Sequence, residues 1–157
     1  MKTCHLLRRL LPGLLFLPFI VRAENGLPLN EISTRAYRYF HKTWSAVKDE
    51  TWYKTDKELI VSFKSNGHLK KAFFNPRGSF LYSIEYYPGI DLSPDVTGMI
   101  QKKYPDFQID AVTQVSNPDR VLYFVHIKNA SFIRTISVIE EKVEVYEELI
   151  NGDPRRD

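Results

Sequence analysis

The sequence predicts an α+β fold: tandem helix-plus-four-stranded antiparallel units that form one curved sheet, with helices on one face. Three observations lead to this prediction. Two segments have apolar residues at spacings of three and four, which is typical of amphipathic helices. The other apolar segments alternate with polar residues at a spacing of two. Turn-forming residues such as Asn66-Gly67 separate these alternating segments.

The first unit is predicted to start with a helix over residues 33–47, for which Asn30 or Ser33 can act as the N-cap. Four strands follow, and turn residues at 55–57, 66–67 and 75–78 separate them. The predicted strands are 51–54, 59–64, 69–74 and 80–87.

The second unit is predicted to start with a helix at Ser93, because Pro94 suits the first helical position and Asp95 favours the positive end of the helix dipole. Pro105 ends this helix. The predicted strands are 109–115, 121–128, 133–139 and 143–150. We therefore expect one domain at 24–150, with sub-repeats at about 32–87 and 92–150 and a frayed tail at 151–157.

The first 23 residues have the layout of a secretory signal peptide. Basic residues precede an apolar run at 10–21, and Val21-Arg22-Ala23 places small residues at the expected cleavage positions. The run is shorter than the roughly 20 residues that a membrane-spanning helix needs. The prediction is a periplasmic or secreted protein with no stable membrane anchor after cleavage, and an uncleaved anchor is the alternative.

Cysteine and charge content limit the function classes. Cys4 is the only cysteine and lies in the predicted signal, so the mature chain can form no internal disulfide. Four of the 22 basic residues and none of the 19 acidic residues lie in the first 23 positions, which gives the mature chain a net charge of −1. A nucleic-acid-binding domain needs a basic surface. We therefore predict no nucleic-acid partner.

The sequence shows no pattern typical of catalysis or metal binding. None of His41, His68 and His126 belongs to a G-x-S-x-G or comparable motif. The spacings of zinc sites, calcium loops and phosphate-binding loops do not occur. The glutamates at 140–148 are interpreted as an exposed edge that discourages sheet association. The prediction is no enzyme, no catalytic residue, no metal and no cofactor.

Short motifs follow the signal segment in a fixed order along nearly all of the mature chain. They are Ala36-Tyr37-Arg38-Tyr39-Phe40, Trp52-Tyr53-Lys54, Ile60-Val61-Ser62-Phe63, Asn66-Gly67, Gly78, Leu92-Ser93-Pro94-Asp95-Val96, Lys103-Tyr104-Pro105 and Tyr123-Phe124-Val125. In this order they resemble the small periplasmic PepSY-like proteins of Bacteroidota, which are described as β-lactamase-inhibitor-like. The resemblance implies the tandem fold and a binding or inhibitory module. It does not imply inhibition of a β-lactamase, because the chain lacks the cysteines of the true inhibitory proteins.

Aromatic residues out of phase with the core give a candidate partner-binding surface. Leu59, Val61 and Phe63 are expected in the core. The out-of-phase set, expected on the open sheet face, is Tyr53, Tyr87, Phe124, His126 and Tyr146. Aromatic side chains supply contact area at low entropic cost. A register error of one residue would exchange the two faces.

The function predicted from these observations is an exported, non-enzymatic binding module with an inhibitory or envelope-associated role. It would engage an unknown protein or peptide of the cell envelope through its open sheet face, as a monomer or weak dimer. One alternative is a small-ligand carrier or small enzyme with a cone-shaped cystatin-like or nuclear transport factor 2-like fold, whose pocket would contain His126 or Glu85. Another is a self-associating protein that dimerises through an edge strand.

Overall fold

The computed structural model describes residues 26–152. The predicted signal peptide and residues 153–157 of the predicted tail lie outside the described residues. The helices are α1 (Thr34–Thr43) and α2 (Pro94–Lys103), each preceded by a 3₁₀ turn at Leu29–Glu31 and Gly89–Asp91. The strands are β1 (Thr51–Lys54), β2 (Leu59–Ser65), β3 (His68–Phe74), β4 (Phe80–Pro88), β5 (Gln108–Ser116), β6 (Val121–Lys128), β7 (Phe132–Ile139) and β8 (Lys142–Ile150).

The eight strands form one antiparallel sheet in the order of the sequence, β1 to β8. The fold is therefore mostly β, and the predicted α+β fold of tandem helix-plus-four-strand units is wrong. The two helices have only ten residues each. Pairing also continues between β4 and β5 over six positions, from Ser83–Ser116 to Pro88–Ala111. α1 ends at Thr43, whereas the sequence predicts a helix to residue 47, so the helices contribute less of the fold than the predicted units require.

Two hairpins turn through residues with positive φ. Asn66 and Gly67 have φ values of 54° and 82° between β2 and β3. Glu140 and Glu141 have φ values of 47° and 67° between β7 and β8. Both pairs have the signs of a type I′ turn, whose twist matches that of the flanking strands. At Glu140 and Glu141 the positive φ values are strained, because both residues have a Cβ. The resulting turn is tight and acidic.

Two apolar clusters lie between the sheet and the helices. In the first, Ala36 and Phe40 of α1 pack on alternate residues of β1 to β3, such as Val61. In the second, Val96 and Ile100 of α2 pack on β5 to β7. Directly paired residues connect Phe63 in the first cluster to Val138 in the second: Phe63, Lys70, Glu85, Gln114, Tyr123 and Val138. Paired residues share a face, so both helices cover the same face of the sheet.

A β-bulge shifts the alternation in β4. Phe74 pairs with Phe80, and the neighbouring Phe73 pairs with Tyr82, so Leu81 is the extra residue. Phe80 therefore packs on the first core cluster, whereas Tyr82 points to the other face. From their spacing of two residues, Phe80 and Tyr82 are expected on the same face of the sheet. The bulge places them on opposite faces.

Candidate functional site

The sheet face opposite the helices, here called the open face, carries its own apolar residues. One row of directly paired residues consists of Tyr53, Ile60, Phe73 and Tyr82. The rings of Phe73 and Tyr82 stack with their centroids 4.5 Å apart. A second row contains Ile84, Val115 and Leu122. No helix or strand of residues 26–152 covers this face. These side chains therefore form an apolar surface that is accessible within the described chain.

A groove of about 540 Å³, here called the open-face groove, lies on this surface. Its lining residues are Leu81, Tyr82, Val115, Asn117, Arg120, Leu122, Phe124, Ser137, Ile139 and Tyr146. Phe124 and Tyr146 meet edge to face, with their ring centroids 5.1 Å apart. Tyr146 remains 69% exposed despite this contact. The pair therefore presents a large aromatic surface to a binding partner.

A register shift in β8 explains how Tyr146 reaches Phe124. Thr135 pairs with Glu147 and Ile136 pairs with Val145, so Tyr146 is an extra residue in β8. A bulge of this kind turns the side chain of the extra residue and increases the local twist. Tyr146 thereby lies over Phe124 on β6, across the intervening strand β7.

Polar groups surround the groove. Asn117 Oδ1 accepts hydrogen bonds from the backbone N–H groups of Asp119 and Arg120, at 3.0 and 2.9 Å, and this turn places Arg120 at one end. Burial, together with the nearby carboxylate of Glu58, raises the pKa of the Tyr82 hydroxyl above its usual value of 10.0. Tyr82 is therefore a neutral hydrogen-bonding group at physiological pH.

The structure brings three of the five candidate residues together. Phe124 and Tyr146 line the groove, and His126 lies two residues along β6 on the same face. His126 Nδ1 is 3.2 Å from the Thr135 hydroxyl. Tyr53 also faces outward, but on β1, at the opposite side of the sheet. Three candidates therefore form one compact group around Phe124, whereas Tyr53 lies apart from this group, in the row with Phe73 and Tyr82.

The predicted position of Tyr87 on the open face is wrong, because Tyr87 lies on the helix-covered face and packs against the second core cluster. Its hydroxyl donates to Gln114 Oε1 at 2.9 Å, and its ring stacks on His68 with a centroid distance of 5.2 Å. Burial raises the pKa of Tyr87 far above the usual value for tyrosine. The bulge at Leu81 is the reason, since it places Tyr82 and Tyr86 on the open face and leaves Tyr87 on the other.

The aliphatic residues of the groove are absent from the sequence-based candidate set. That set was restricted to aromatic residues and histidine, so Val115, Leu122 and Ile139 were missed, as was Arg120 at the rim. Leu122 lies two residues before Phe124 on β6, and this spacing predicts that both lie on the same face. The sequence therefore contains a signal for Leu122. The contribution of β5 and β7 depends on strand pairing, which the local sequence does not contain.

A polar cluster occupies the helix-covered face of the central strands. His68 Nδ1 lies 2.8 Å from Glu85 Oε1, and His68 Nε2 lies 3.1 Å from Asp91 Oδ2. Lys70 Nζ is 2.9 Å from the other oxygen of Glu85. The charges of this cluster are therefore paired, and it joins β3, β4 and the 3₁₀ turn before α2. Within residues 26–152, no group of three or more His, Cys, Asp or Glu side chains is placed to hold a metal ion.

Two further grooves, of about 610 and 510 Å³, are open surface depressions. Charged residues supply much of the larger one, including Glu31, Lys54 and Asp56, and it has no aromatic residue in its lining. The open-face groove has aromatic side chains, which the larger groove lacks. Within the described range, no helix is long and apolar enough to cross a bilayer.

Comparison with known proteins identifies the fold. No protein-family model matches the chain, and no curated protein matches its sequence. A DUF2874 family protein from Bacteroides ovatus is similar in structure, with a TM-score of 0.58 and 18% identity over 76% of this chain and 88% of that protein. A proposed periplasmic protein from Bacteroides eggerthii has a TM-score of 0.57 and 16% identity over 74% of this chain and 87% of its own.

A BLIP-like protein from Bacteroides fragilis has a TM-score of 0.59 and 17% identity, and the match covers 82% of this chain and 92% of that protein. At these identities the comparisons show a shared fold alone. The BLIP-like part of the resemblance noted in the sequence agrees with this neighbour, whereas none of these three structures is described as PepSY-like.

Proposed function

We propose that this chain, which shares its fold with a BLIP-like protein of Bacteroides fragilis, is an exported binding module that engages a protein through the open-face groove. The observation that carries the proposal is the contact of Phe124 with the exposed Tyr146 on a sheet face that no described element covers. The neighbour described as a proposed periplasmic protein supports export, as does the signal-like segment at 1–23.

The composition of the groove suits a protein interface. Leu122, Phe124 and Tyr146 supply an apolar centre, and Asn117 and Arg120 supply part of a polar rim. Stable protein interfaces have this arrangement, in which a few central aromatic side chains contribute most of the binding free energy. An exposed sheet face with an open groove also suits a protein surface better than a small ligand, which is usually enclosed on most sides.

Two of the three histidines in the described range, His126 and His68, support binding over catalysis. His126 contacts Thr135, but no carboxylate is hydrogen-bonded to its ring to orient it as a general base. His68 is held between two carboxylates and has no serine or threonine hydroxyl as a hydrogen-bond partner. The alternative is a ligand pocket that contains His126 or Glu85. Neither residue lines the open-face groove or the two further grooves of about 610 and 510 Å³.

A crosslinking pull-down from envelope extract tests the proposal. The bait is the mature chain from residue 24, compared with a Phe124→Ala/Tyr146→Ala double variant. Ile90→Ala is the control, because Ile90 is 89% exposed and does not line the groove. We expect the wild type and the control to capture the same protein and the double variant to lose it, while circular dichroism shows all three to be folded. Equal capture by all three baits would contradict the proposal.

A further inference from the structure

β8 offers a long, exposed edge. It is the last strand of the sheet, and its outer side pairs with no described strand. Eight of its nine residues are exposed. The exposed set includes four apolar residues: Val145, Tyr146, Leu149 and Ile150. The other edge strand, β1, has only four residues, and its Trp52 carbonyl accepts a hydrogen bond from Leu27 N–H at 2.7 Å. The accessible edge of this sheet is therefore β8.

The hairpin geometry identifies which backbone groups of β8 point outward. In a two-residue hairpin the residues that flank the turn, Ile139 and Lys142, form a hydrogen-bonded pair. Alternation then turns the backbone N–H and C=O of Val143 and Val145 away from β7. The Lys103 side chain donates to the Val143 carbonyl at 2.5 Å, which agrees with this direction. Beyond that contact, Val145 directs its backbone donor and acceptor to the outer side of β8, where no strand of residues 26–152 pairs with them.

The two sides of the β8 edge differ chemically. Glu144 and Glu147 pair with Ser137 and Thr135, so they lie on the open face beside Tyr146. Val145 pairs with Ile136 and lies on the opposite face. Glu148 is neutralised by an ion pair with Arg134, whereas Glu144 and Glu147 have no ion-pair partner among residues 26–152. The edge therefore has uncompensated negative charge on the open face, beside Tyr146 and Leu149. Its other two exposed apolar residues, Val145 and Ile150, lie on the opposite face.

We propose that β8 takes up an extended segment of the protein partner as an added strand, and that this segment alternates basic and apolar residues. Lysine or arginine side chains of the segment face Glu144 and Glu147, and its apolar side chains meet Val145 on the other face. Backbone hydrogen bonds supply affinity, and the alternate side chains supply specificity. The inference rests on the proposed function and adds the chemistry of the partner, since Tyr146 joins the edge to the open-face groove.

A second copy of this chain fits the edge less well. Antiparallel pairing of two β8 strands at Val145, with Tyr146 as the extra residue, would place Glu144 opposite Glu147 of the other copy. Like charges directly opposite each other are destabilising. Charged edges also protect sheets from association. Protection alone, however, does not explain four exposed apolar residues in the same strand.

Selection of linear twelve-residue peptides from a random phage-displayed library, with the mature chain as the target, tests the inference. We expect the enriched peptides to alternate lysine or arginine with apolar residues and to lack proline. A Glu144→Lys/Glu147→Lys variant should bind them at least about tenfold more weakly. The matched control is Glu31→Lys/Asp56→Lys, which changes the net charge equally at exposed positions far from β8 in sequence. This control should retain binding.

A second arm tests strand addition itself. Methylation of alternate backbone nitrogens in the best peptide, on the side that faces β8, removes hydrogen-bond donors but keeps every charge. We expect binding to be lost when that side is methylated and retained when the other side is. The inference is overturned if no peptide is enriched, if the charge-reversed variant binds equally well, or if methylation has no effect. A concentration-dependent dimer in sedimentation that Val145→Pro abolishes would assign the edge to a second copy and also overturn it.

The pull-down separates this inference from the proposed function. Suppose capture is lost in Phe124→Ala/Tyr146→Ala but unchanged in Glu144→Lys/Glu147→Lys. The open-face function would then stand, and the inference about the β8 edge would fall. Equal capture by the wild type and all variants would contradict the proposed function.

Discussion

At the scale of single residues, His68 connects three elements through charge. It bridges Glu85 on β4 and Asp91 in the 3₁₀ turn before α2, and Lys70 pairs with the same Glu85. The hydrogen bond to Glu85 is the main cause that raises the pKa of His68 above 6.5, burial acts in the opposite direction, and Asp91 raises it further. The fold therefore favours the protonated imidazole, which can donate to both carboxylates.

This shift predicts a pH-dependent stability. The pKa of His68 is higher in the folded chain than in the unfolded chain, so its stabilisation is fully present below about pH 6.5 and is lost as the pH rises through the raised value. Relative to a His68→Gln variant, the wild type should lose free energy of unfolding across that window. Urea unfolding of both proteins at about pH 5.5 and about pH 8.5 measures this difference. A difference that is the same at both pH values would contradict the assignment.

At the scale of elements, glycines in two turns have similar positive φ values but different surroundings. Gly67 has φ +82° and nothing within 4 Å of the position that a Cβ would take. Gly78 has φ +80°, and a Cβ there would lie 2.9 Å from Ala36 N and also overlap Ser33 Oγ at the start of α1. The turn before β4 is therefore packed against the start of α1, whereas no neighbouring atom restricts a side chain at Gly67.

The two glycines form a matched pair for substitution. Gly67→Ala should cost about 1 kcal/mol of unfolding free energy, which is the strain of a left-handed residue with a Cβ. Gly78→Ala should cost about 1–3 kcal/mol more, because the start of α1 must also move. Urea unfolding of both variants measures the difference. Equal costs would show that α1 does not depend on close packing against this turn.

The sequence was informative about elements with local signals. The start of α2 at Ser93 and Pro94 and the Asn66-Gly67 hairpin were predicted, and both occur. The bulges in β4 and β8 have no comparable local signal, because they depend on how neighbouring strands pair. The bulge in β4 explains why the predicted position of Tyr87 is wrong, and the bulge in β8 brings Tyr146 into contact with Phe124. The candidate site was therefore predicted in part, through Phe124 and Tyr146, and its aliphatic residues were not.

At the scale of the whole molecule, one sheet carries two core clusters. Trp44 and Trp52 both belong to the cluster under α1, and Ile127 belongs to the cluster under α2. The predicted tandem architecture treated these halves as repeated units. Continuous pairing of β4 with β5 shows one sheet, because backbone hydrogen bonding does not end between the two clusters.

A continuous sheet predicts one cooperative unfolding transition. Ile127→Val in the second cluster should cost about 1 kcal/mol. It should shift the midpoint seen by tryptophan fluorescence, which reports the first cluster, as much as the midpoint seen by far-ultraviolet circular dichroism. A fluorescence midpoint that does not move would show that the two halves unfold independently.

Binding through the open-face groove is the central claim, and site-specific photocrosslinking tests it most directly. A benzophenone-bearing amino acid replaces Tyr146 in one bait and Ile90 in another, since both positions are exposed and only Tyr146 lines the groove. In envelope extract, we expect the bait labelled at 146 to crosslink to one protein and the bait labelled at 90 to crosslink to none. A crosslink formed only from position 90, or equally from both, would contradict the claim that the open-face groove is the binding site.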